Sequence, residues 1–223
     1  MNDAADKRTQ LVKIALLIAA LVLTAASFIG APEYVWDGGA IYLQHLGTLF
    51  LLLPLAADLK LRSFTPPVCV CFFVYICLHI LGARYLYSNV PYHEWAEQLF
   101  GMHFATPKDH ANQYDRLVHV AFGVLLLPLF LQIAEKWLKI GNYAAALVTA
   151  WALVQSFSLL YEVFEWLLTV VVNSAVAEDY NGQQGDMWDA QKDMLLALIG
   201  STLTAAFLAL RRRFADRKER RET

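Results

Sequence analysis

Charge is scarce in this sequence: Asp, Glu, Lys and Arg make up only 17% of its 223 residues, against 58% hydrophobic ones. A soluble domain carries about a quarter charged residues, so a water-exposed globule is excluded and a multi-span membrane protein is expected. Cysteine is equally sparse. The three present, Cys69, Cys71 and Cys77, fall in one apolar run with no C-x-x-C spacing and no distant partner. That excludes a disulfide framework and reads them as lipid-facing or core thiols. No G-x-S-x-G, H-E-x-x-H or phosphate-binding Gly-rich loop occurs, so the common hydrolase, zincin and P-loop chemistries lack their signatures. Repeats, low-complexity tracts and heptads are missing too, and a single integral membrane domain over residues 1–223 is expected.

What the chain has instead is long apolar runs. They lie at about 11–29, 40–59, 68–87, 114–133, 143–172 and 188–210, each near the roughly 20 residues that cross a bilayer as a helix. The first run, behind Lys7 and Arg8, also fits the apolar core of a signal peptide, but a retained helix is the preferred reading. Pro66 and Pro67 open the third span, while Pro54 and Pro128 are expected to bend the second and fourth. Between the third and fourth, residues 93–104 combine Trp95, Leu99 and Phe100 with His93 and Glu94, the pattern of a short helix in the membrane interface. Thr106 and Pro107 then form a helix start. The fold class is all-α, a polytopic membrane bundle of six transmembrane helices.

Basic residues orient it. With the N-terminus cytoplasmic, fourteen of the eighteen Lys and Arg fall on the cytoplasmic side, seven of them in the tail from Arg211 to Arg221. Only Arg84, Lys108, Arg116 and Lys192 fall outside. The positive-inside rule therefore places both termini in the cytoplasm. The basic tail reads as an orientation signal, and nucleic acid is not an expected partner; the lipid bilayer is.

Topology then gathers the costly side chains. His79 with Arg84, and Glu162 with Glu165, come late in outward-running helices; His45, Asp115 with His119, and Asp189 with Asp193 come early in inward-running ones. All share one depth near the outer face. Ionisable groups in a bilayer usually face a bundle interior or a wet cavity, so a polar pocket open to the extracytoplasmic side is expected. Gln155, Ser158, Glu162, Glu165 and Thr169 step by three and four residues along one helix face. Six acids, the five just named plus Asp186, face three bases, Arg84, Arg116 and Lys192. Protons on carboxylates, protonated histidines or a bound divalent cation would each balance the excess, and the sequence leaves the choice open.

In an enzymatic reading the reactive groups are Glu162, Glu165, His119, Asp115, Asp189 and Asp193, with Glu165 or Asp189 as general base, His119 as acid, and Arg84 or Arg116 on an anionic group. In a metal reading Glu165, Asp189, Asp193 and His119 are the ligands. An interhelical network that merely fixes packing is the plain alternative. Asp186 reads as an N-cap, and Asp115 and Arg116 could simply pair with neighbours. His45 and His79 fit packing roles, and Trp36, Trp95, Trp166 and Trp188 fit interface anchors.

Four strings carry a resemblance: Gly82-x-x-Tyr85-x-Tyr87 with Val90-Pro91; Asn112-x-Tyr114-Asp115-Arg116-x-x-His119; Tyr161-Glu162-x-x-Glu165-Trp166; and Gln184-Gly185-Asp186-x-Trp188-Asp189-x-Gln191-x-Asp193-Met194. In them the chain resembles the YjdF-like inner-membrane proteins of bacteria. The resemblance implies a multi-span inner-membrane protein and supplies no activity. Tyr85, Tyr161, Gln191 and Trp188, which lie in these strings, join Arg84 and Arg116 as candidate substrate contacts of this reading, although the family pattern has a histidine where this chain has Arg84. A looser likeness to VanZ-like membrane proteins, which open a span with an acid, a base and then a histidine, hints at the cell envelope. A site that binds or modifies a lipid or envelope molecule is the leading expectation; a proton- or cation-coupled transporter and a noncatalytic assembly factor are the alternatives.

Overall fold

The computed structural model describes residues 3–101, 113–171, 181 and 184–222. Regular structure among them is entirely helical: α1 (Asp3–Ser27), a 3₁₀ segment (Glu33–Gly39), α2 (Ala40–Leu61), α3 (Pro66–Tyr85), α4 (Tyr92–Phe100), α5 (Tyr114–Lys136), α6 (Tyr143–Val171) and α7 (Asp189–Glu222). Six helices are long and apolar enough to cross a membrane, α4 being the exception. The all-α, six-span fold class expected from the apolar runs is therefore what the chain adopts.

Local chemistry sets the boundaries. α3 starts at Pro66 behind Thr65, where a missing N–H costs nothing. α4 ends at Gly101, whose φ of +62° suits a glycine stop; residues 102–104 of the expected interfacial stretch lie outside the described residues. Thr106 and Pro107 lie outside the described residues, as do Glu178 and Asp179 in the connection before the sixth span. α2 and α5 continue through Pro54 and Pro128. α7 does not stop at Leu210 but carries its basic segment onward as helix.

The core runs between α3, α5 and α6, where Phe72 and Ile76 meet Leu126, Leu127 and Phe130, with Ala146, Ala150 and Val154 behind them. α5 and α7 come closest. A Cβ added at Gly123 would lie 2.3 Å from the Ala197 carbonyl oxygen, and one at Gly200 would lie 2.5 Å from that of Val120. Lipid tails are as apolar as leucine, so membrane helices associate where small residues let backbones touch. This contact also sets register: one turn from Gly123 is His119, one turn from Ala197 is Asp193, and a further turn gives Asp115 and Asp189.

α1 is tied at two points, one near its middle and one at its C-terminal end. Lys13 forms a 2.5 Å ion pair with Asp58 in which the side chains are 1% and 0% exposed. Asp58 Oδ1 also accepts the N–H groups of Ser63 and Phe64 at 2.6 and 2.9 Å. Lys13 is thus an interior partner and not one of the flanking charges among which it is counted by sequence. At the C-terminal end Arg84 donates to the carbonyls of Ser27, Ile29 and Gly30 at 2.7, 2.9 and 2.8 Å, satisfying orphan acceptors at a helix C-terminus.

Candidate functional site

Three helices build an acidic cluster. α5 supplies Asp115 and His119, α6 supplies Glu162 and Glu165, and α7 supplies Asp189 and Asp193. His119, Glu162, Glu165, Asp189 and Asp193 are buried, Asp193 to 1% exposure, and the Asp115 side chain is only 13% exposed. His119 Nε2 stands 3.7 Å from Asp115 Oδ1 and 3.7 Å from Glu162 Oε1, too far for a hydrogen bond to either. One ligand atom each from Asp115, His119 and Asp193 lie within 4.8 Å of one another. Glu165 is in hydrogen-bond contact with Glu162 and with the Tyr161 hydroxyl. The Tyr161 ring packs against the His119 ring, centroids 6.0 Å apart.

Cations reach only the rim. Arg116 bonds Asp186 at 2.6 Å and lies 3.8 Å from Asp189, and Lys192 also bonds Asp186. Asp186 precedes the membrane-spanning part of α7, and the Lys192 ammonium, followed by the Trp188 N–H, holds its carboxyl below the usual carboxylate range. Its side chain accepts the Trp188 N–H at 3.1 Å, so it closes the turn leading into α7; the helix itself begins three residues later. Among the described residues, no Lys or Arg contacts Asp115, Glu162, Glu165 or Asp193. Glu162 Oε1 and Asp193 Oδ1 are buried without a hydrogen-bond partner, each at a cost of about 1–3 kcal/mol if left so.

Several expected members stand apart. Arg84 spends its guanidinium on α1, so the six acids face two cations where the sequence suggested three. Tyr85 meets Trp95 edge-on at 5.9 Å on the side of α4. His45 bonds Ser27 and Thr48 at 3.0 Å each, and His79 bonds the Tyr87 hydroxyl at 2.5 Å; both are packing histidines. Gln191 and Trp188 are exposed at the mouth of α7. On α6 the polar stripe ends at Glu165, because Thr169 is exposed and bonds its own helix. Its lower part is tied to α7, Gln155 donating to Ser201 at 2.8 Å.

Sequence reading missed Asn181, 2% exposed, whose amide donates to the backbone carbonyl of Glu165 at 3.1 Å. A lone Asn in a connecting segment carries no signal. Gly123 and Gly200 were missed as well, though two glycines inside apolar spans are a readable sign of close helix contact.

The sequence profile of a family described as "Predicted membrane protein (DUF2238)" matches residues 11–214. The chain belongs to this family. Within DUF2238 it is 30% identical over 169 residues to the Inner membrane protein YjdF of Escherichia coli (strain K12), a match covering 75% of each chain. No solved structure matches significantly. The YjdF-like resemblance is thereby borne out, and this DUF2238 member is a multi-span protein of the inner membrane. The matched region contains every residue of the acidic cluster.

Proposed function

We propose that this protein presents an acid–histidine site to the extracytoplasmic face of the inner membrane, where it binds and modifies an anionic envelope substrate, a lipid headgroup in the first instance. The observation that carries the reading is the set of buried carboxyls on α5, α6 and α7 that have no Lys or Arg in contact among the described residues, with Arg116 and Lys192 stationed at its rim. A packing network gains nothing from unpaired acids; a binding site keeps them for its ligand. The orientation is supported by charge: with Lys13 set aside, thirteen of the eighteen Lys and Arg lie at the end of the bundle opposite the cluster.

In this reading Glu165 or Asp189 takes a proton from the attacking group and returns it to the leaving group, His119 holds its place among the acids, and Arg116 with Lys192 steers the anionic substrate. A transporter would need a polar path onward. Below Ser158 the buried face of α6 is Val154, Ala150 and Leu147, which supports a one-sided pocket. The full chain in nanodiscs of bacterial polar lipids, followed by lipid mass spectrometry, tests the proposal. Wild type should convert a lipid species, and Glu165→Gln and Asp189→Asn should each lose the conversion while inserting normally. Conversion at wild-type level in both variants rejects the site. A change in complex formation without any turnover would favour an assembly factor.

A further inference from the structure

We infer that the heart of this site is a divalent-cation centre whose protein ligands are Asp115, His119 and Asp193, with Glu162 as the fourth. The inference rests on the reading that these acids serve a ligand and not helix packing, and it names that ligand. Two donors bound to one ion at about 2.1 Å each stand at most about 4.2 Å apart. The ligand atoms of Asp115, His119 and Asp193 all lie within 4.8 Å of one another, so closing on an ion requires a shift of under about an ångström.

His119 Nε2 is the point on which the geometry turns. It faces an oxygen of Asp115 and one of Glu162, each at 3.7 Å. That spacing is too long for hydrogen bonds but close to the edge of a coordination polyhedron. Independently, Asp193 Oδ1 and Glu162 Oε1, on two different helices, are buried and have no hydrogen-bond partner among the described residues, and Glu162 Oε1 is the oxygen that faces His119. One cation would satisfy both oxygens and cancel the repulsion among acids that have no Lys or Arg in contact among the described residues. Carboxylates with a single imidazole suit Mn²⁺ or Zn²⁺, leaving one or two positions for water or a substrate oxygen.

The set shares His119 and Asp193 with the one expected from the sequence and takes Asp115 and Glu162 in place of Glu165 and Asp189. Those two remain beside the centre, Glu165 through its contact with Glu162 and Asp189 through Arg116. A bound cation also explains how an anionic headgroup could approach a cluster of acids at all. Arg116 and Lys192 would draw it to the mouth, and the ion would receive its oxygen.

The test uses the purified full chain, stripped with EDTA and verified metal-free, then titrated with Mn²⁺ alone and followed by electron paramagnetic resonance. About one Mn²⁺ per chain is expected, displaced by Zn²⁺. Asp193→Asn and His119→Ala should each weaken binding at least tenfold, while Asp186→Asn, at the rim, should stay within about twofold. Mn²⁺ should raise the melting temperature of wild type and not that of Asp193→Asn. Should either variant fail to fold, the isosteric Asp115→Asn and Glu162→Gln take its place with the same expectation. A wild type that binds no ion, or ligand variants that bind as wild type does, overturns the inference. Ion binding without lipid conversion would remove the envelope-substrate reading and leave the centre standing. Lipid conversion by verified metal-free protein would do the reverse.

Discussion

Among the described residues the bundle holds two buried ionic groups, one near each end, built to opposite rules. Lys13 and Asp58 match charge for charge, and Asp58 also receives two backbone N–H groups, with the Cys69 thiol 3.8 Å from its other oxygen. The adjoining Ser63–Thr65 turn is tied to Gln132 and Trp137 at the far end of α5. Toward the start of α5, Asp115 and His119 belong to a group of six acids and two rim cations, with two buried oxygens unpartnered. Both groups are costly to bury. The complete one holds α1 to α2 and the α2–α3 turn; the incomplete one is held in place by the rest of the fold and keeps bonding capacity for something else.

The largest expected effect breaks the complete group. Asp58→Ala strands a buried ammonium and should cost about 3–5 kcal/mol, read as a fall in melting temperature and in monodisperse yield. A Lys13→Met, Asp58→Leu double variant should recover most of that, short of about 1–2 kcal/mol for the lost bonds to Ser63 and Phe64. Additive losses in the double variant would mean the pair was not the cause.

The middle effect sharpens the contrast. In metal-free protein Asp193→Asn removes one of several like charges and should change stability by less than about 1 kcal/mol, or raise it. Thermal unfolding of the variant beside Asp58→Ala measures this directly. A loss as large as that of Asp58→Ala would make the acidic group a packing device and dissolve the comparison.

The smallest effect lies at the rim. Asp186 is held below its ordinary carboxylate range by Lys192, so its ties to Arg116 and Lys192 add stability above the unfolded value near 3.8 and lose it as pH falls through the folded value. Screening by solvent keeps this small. Wild type and Asp186→Asn should therefore differ in melting temperature at neutral pH and converge in acid; a difference that grows on acidification has the wrong sign.

Much of this was legible in the chain itself. Runs of about 20 apolar residues can satisfy their backbones in a bilayer only as helices, so six spans followed from composition. The i, i+4 pairs Asp115–His119 and Asp189–Asp193 announced shared faces, and alternation of direction put them at one end. Arg84 was misplaced because span counting gives depth but not azimuth: at the same level it turns toward the end of α1 and not toward α6. Lys13 was misread because a charge two residues into an apolar run resembles a flank until its partner is known, and Asp58 is 45 residues away.

What the sequence determined alone is the number of membrane crossings, their alternation, and the level at which the acids lie, since hydrocarbon leaves the backbone one option and charge a few. Which of those acids face one another was decided by tertiary packing. Gly123 against Ala197 and Gly200 against Val120 fix the register of α5 on α7, and a contact between backbones is a property of two helices together that neither strand of residues states by itself.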